Sequence, residues 1–133
     1  MMAKQLQTYQ DNAVTTASGP QLTMMLYNGC IKFINQAKSA LENNDFENKN
    51  YYIQRAQDIV QEFMITLDQT VEISQQMMPL YEYIYHQLQQ ANIKNEMKYL
   101  DEALEYVTDF RDTWKEVMLR VARDTKATQE ERV

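Results

Sequence analysis

His86 is the single histidine of the chain, and Glu82 stands four residues before it. On a helix that spacing puts the carboxylate and the imidazole on one face, where they can share a hydrogen bond. A di-metal centre in a helical bundle needs carboxylates plus a Glu-x-x-His motif from each of two helices, so one histidine cannot complete it within the chain. Asp101, Glu105, Asp109, Asp112 and Glu116 recur at steps of three and four. That pattern describes a solvated helix face. Cys30 has no second cysteine to pair with and sits in an apolar stretch, as a small buried hydrophobe would. No Gly-rich phosphate loop, nucleophile elbow or Cys-x-x-Cys pair occurs. The residues give no case for catalysis, and no metal or cofactor is expected.

The elements that hold these residues follow from composition. With 133 residues, the chain is expected to form a single domain, 1–133, large enough to bury a sizeable core. Two glycines and two prolines are too few for the turns of a sandwich or barrel, whereas Gln, Glu, Lys, Met, Leu and Ala favour helices. An all-α class is expected. A net charge of -6 argues against a nucleic-acid partner, which would require a basic stripe. No apolar run approaches the roughly 20 residues that span a bilayer, so no membrane insertion is expected. The amino-terminal MMAKQLQTYQ lacks the apolar core of a signal peptide, which points to a cytoplasmic protein.

Residues 1–17 carry only scattered large apolar groups, Leu6, Tyr9 and Val14, and read as a mobile arm. Ser18-Gly19-Pro20-Gln21 then offers an N-cap, a proline tolerated in the first turn and a capping-box glutamine. A first helix is expected from Gly19 to Asn43, broken by Asn43-Asn44-Asp45, with Asp45 capping a second helix from Phe46 to about Thr70. The third begins at Ser74 or near Pro79 and ends at Asn92-Ile93-Lys94-Asn95; a start at Ser74 would make Pro79 loosen or bend it. The fourth carries Met97, Leu100, Leu104, Val107, Trp114, Met118 and Val121 at near-heptad spacing. Residues 122–133 are charged, without apolar spacing, and read as a frayed tail. Short connections make an antiparallel up-down-up-down four-helix bundle the simplest architecture.

The first helix carries more apolar surface than one packed face requires. Leu22, Met25, Leu26, Phe33, Ala37 and Ala40 form one stripe, and Met24, Tyr27, Ile31, Ile34 and Leu41 a second beside it. Such a helix is central to the domain or shared with a partner. Nine methionines and nine tyrosines add side chains favoured at adaptable contact surfaces. Binding or assembly remains as the function class.

Three segments carry a resemblance. Tyr9 to Ser18 followed by Leu22 to Gly29, then Leu80-Tyr81-Glu82-Tyr83 with Leu88 and Ala91-Asn92-Ile93, then Tyr106 to Trp114, resemble in order and spacing the patterns of the flagellin export chaperone family, FliS. Two departures stand out: Gly19-Pro20 in place of a Ser-Pro start, with Gln21 for the acid, and Pro79 within the third helix. The resemblance implies a non-enzymatic cytoplasmic chaperone that binds the disordered carboxy-terminal segment of flagellin, prevents premature polymerisation, and aids delivery to the flagellar type III export apparatus. It also implies that the client wraps the bundle, with no nucleotide or metal involved, and that the arm can occupy part of the client groove. An amphipathic client that orders on binding needs long apolar grooves. On this reading Met24, Tyr27, Ile31, Ile34 and Leu41, with Tyr81, Tyr85 and Trp114, line the groove, Leu22, Leu26 and Phe33 face the core, and Leu6, Tyr9 and Val14 of the arm compete for the groove. A monomer or weak dimer is expected. The alternative is a self-associating helical assembly protein with no separate client.

Overall fold

The computed structural model describes residues 19–67 and 72–131, with the side chains of 72–74 and 128–131 left aside. Four helices account for almost all of it: α1 (Gly19–Glu42), α2 (Phe46–Thr66), α3 (Glu72–Lys94) and α4 (Met97–Glu131). No strand occurs among the described residues. Each helix packs against two neighbours in the ring α1–α2–α3–α4, and helices across the diagonal barely meet. This is the expected antiparallel four-helix bundle. Leu6, Tyr9, Val14 and the Ser18 cap lie outside the described residues.

One heptad-like seam from each helix fills the axis. Buried positions run Tyr27, Cys30, Ile34, Ala37, Leu41 on α1; Ile53, Ala56, Val60, Phe63 on α2; Tyr81, Ile84, Leu88, Ala91 on α3; and Leu100, Ala103, Val107 on α4. Steps of three and four keep one stripe turned inward along nearly parallel axes.

The turns explain themselves residue by residue. Asn44 takes the left-handed backbone at φ 55°, a conformation asparagine tolerates. The Asp45 amide then donates to the Ala40 carbonyl at 2.8 Å and the Asn44 amide to Leu41 at 3.1 Å, the paired bonds that close a helix end. Asp45 at once starts α2, its carboxylate accepting from the Asn48 amide at 3.3 Å. Asn95, also left-handed at φ 54°, ends α3 with a single bond, its amide donating to Ala91.

Three boundaries differ from expectation, the first being the end of α2 at Thr66, short of the expected Thr70. α3 begins at Glu72 and runs through Pro79, which is exposed. Pro79 has no amide to offer the Gln75 carbonyl, and both residues are exposed. The expected frayed tail from 122 is instead helical as far as Glu131. Ala122, Arg123, Lys126, Ala127 and Gln129 are strong helix formers, and Arg120 pairs with Glu116 one turn back at 2.6 Å, so propensity extends the helix where no core requires it. At about 1.5 Å per residue, the 35 residues of α4 reach about 20 Å further than the 21 of α2. The carboxy-terminal part of α4 therefore projects past the bundle.

Candidate functional site

Two ends of the bundle differ in chemistry. At the end holding the Asn43–Asp45 and Asn95–Glu96 turns, Lys49 is 1% exposed although charged residues are rarely so. Its Nζ donates to the Asn92 carbonyl at 3.1 Å and to the Asn95 side chain, and lies 5.6 Å from the centre of the Phe46 ring. Burial pulls its pKa below the usual lysine value. The amine ties the start of α2 to the α3–α4 turn.

At the opposite end each helix contributes one aromatic ring to a shared cluster. Phe63 stacks on Tyr27 at 4.5 Å and on Tyr81 at 5.5 Å, and Phe110 lies 5.2 Å from Tyr81. The Tyr27 and Tyr81 hydroxyls hydrogen-bond each other at 2.7 Å across the bundle diagonal. Each satisfies the other where water does not reach. Burial raises both phenol pKa values, and burial alone pushes the Cys30 thiol up to about 12. Such a thiol is inert as a nucleophile.

The division of α1 differs from the one read from sequence. Tyr27, Ile34 and Leu41, expected along the groove, are buried in the axial core, as is Tyr81. Leu22, Leu26 and Phe33, expected in the core, are half-buried. The reason lies in packing on both sides. Phe33 meets Tyr52 of α2 at 6.4 Å, and Gly29 lies over Ile59 of α2, so the first stripe is the α2 flank. Lys38 pairs with Asp101 of α4 at 2.7 Å, and Asn28 accepts from Arg111 of α4, which places the other flank against α4. Met24 and Ile31 fall on that second flank by helical repeat and stay half-buried. The apolar excess of α1 thus serves two neighbours.

Half-buried Tyr85 and Trp114 also keep accessible surface. The Tyr85 hydroxyl accepts from Gln61 of α2 at 3.2 Å, and the Trp114 indole donates to the Pro20 carbonyl at 3.1 Å. Other apolar groups are more open: Leu80 is 39% exposed, Tyr83 38% and Val117 41%. Tyr83 meets the Tyr106 ring edge-on at 5.6 Å and donates to Glu102 at 2.5 Å, while Gln87 donates to the other Glu102 oxygen at 2.8 Å. The carboxylate beside it raises the Tyr83 phenol pKa to about 12. No set of three acidic, histidine or cysteine side chains that could hold a metal occurs among the described residues. Nor is any described helix long and apolar enough to cross a membrane. Among the described residues, Leu80, Tyr83 and Val117 offer apolar contact surface.

A sequence model of the family described as flagellar protein FliS matches residues 2–121. The chain belongs to the FliS family. The flagellar secretion chaperone FliS of Bacillus subtilis (strain 168) is 49% identical over 116 residues, covering 87% of each chain. The protein of the same name from Escherichia coli (strain K12) is 29% identical over 112 residues, covering 82% of each. A solved crystal structure of a flagellar chaperone from bacteria superposes with a TM-score of 0.72 over 90% of this chain and 99% of that one; at 18% identity it speaks to the fold. Family membership makes this bundle a flagellar export chaperone.

Proposed function

We propose that the protein is a cytoplasmic chaperone for flagellin, binding its disordered carboxy-terminal segment, preventing premature polymerisation and aiding its delivery to the flagellar type III export apparatus. The observation that carries this reading is the accessible apolar surface left around a bundle whose axial core is already filled: Leu80, Tyr83 and Val117 exposed, with Met24, Ile31, Tyr85 and Trp114 half-buried. Burying such side chains offsets the entropy a disordered client loses when it orders. These groups are spread over different flanks: Met24 and Ile31 beside α4, Tyr85 beside α2, and Tyr83 between α3 and α4. A client that touches all of them wraps the bundle instead of lying in one straight groove. Leu6, Tyr9 and Val14 of the amino-terminal arm compete for part of this surface, and the free chaperone is a monomer or weak dimer.

The test is calorimetric titration with a peptide of about forty residues from the flagellin carboxy terminus, long enough to fold on a surface of this kind. One-to-one binding with a negative heat-capacity change is expected. No heat at any temperature, together with failure to co-elute on a sizing column, would remove the client and leave a self-associating bundle.

A further inference from the structure

We draw no further inference here: the strongest candidate, the apolar stripe on the projecting part of α4 that runs from Val117 to Val121, is exposed, but nothing in the structure shows what covers it.

Discussion

The two ends of this bundle solve opposite problems. At the turn end several polar groups are tied into bonds: the paired amides of Asn44 and Asp45, the Asp45 cap, and the Lys49 amine held by Asn92 and Asn95. At the other end rings from four helices close the axis, yet Leu80, Tyr83 and Val117 remain open around it. One end holds the helices in register. The other adds Leu80, Tyr83 and Val117 to an apolar surface that the turn end also shows at Phe46, 45% exposed, and Ile93, 73% exposed. Stability and client affinity should therefore respond to different substitutions.

The largest expected effect on stability is at Phe63, whose ring touches both buried tyrosines. Phe63→Ala should cost about 3–5 kcal/mol in denaturant unfolding, through lost contact and the cavity left behind. Ile34→Ala, fully buried, should cost about 2–4 kcal/mol, whereas Ile31→Ala, three residues away on the α4 flank, should cost less and weaken the client complex. Equal loss of stability at both would dissolve the distinction between axis and flank.

At the turn end, Lys49→Ala removes the donor that serves Asn92 and Asn95 and the buried stem beside Phe46. A loss of about 2–4 kcal/mol is expected, with client affinity per folded molecule unchanged. Asp45→Ala should cost about 1 kcal/mol, the usual worth of a helix N-cap. A change in client affinity from either variant would show that the turn end takes part in binding.

The pH dependence is the gentlest lever. Cys30, Tyr27 and Tyr81 have folded pKa values raised above their free values of 9.0 and 10.0, so the folded state keeps protons that the unfolded state releases. Their stabilising contribution is complete below the free values and is lost as pH rises past them. Stability against reversible unfolding should weaken from about pH 9, with the thiol responsible for about 1 kcal/mol at pH 10. Cys30→Ala should move the onset toward pH 10, where the tyrosines begin to titrate. An unchanged onset would show that the thiol is not shielded as the fold implies.

Much of this fold was legible in the sequence, because apolar spacing and turn chemistry are local. Asp45 capped α2 as its neighbours implied, and Asn44 and Asn95 stopped helices by taking a backbone that asparagine tolerates. The rotation of α1 was harder. Its two stripes are real, but which one faces the axis depends on partners far away in sequence. A signal was nevertheless present: the series 26, 29, 33, 36, 40 is interrupted by Gln36, whereas Tyr27, Cys30, Ile34, Ala37, Leu41 carries no strongly polar residue. Lys49 also stood in phase with Ile53, Ala56, Val60 and Phe63, so its burial could be read from spacing. The Tyr27–Tyr81 bond, between residues 54 positions apart, left no local trace. The helical end of α4 was hidden because a helix sustained by propensity shows no apolar period.

The most direct test is titration of the flagellin carboxy-terminal segment into wild type and the Leu80→Ser/Tyr83→Ala double variant, with a thermal melt of each. Loss of two accessible apolar contacts predicts at least about a ten-fold weaker Kd, with Tm within about 3 °C of wild type. An unchanged Kd in a variant that stays folded would contradict the claim that the surface left open at this end is what the client grips.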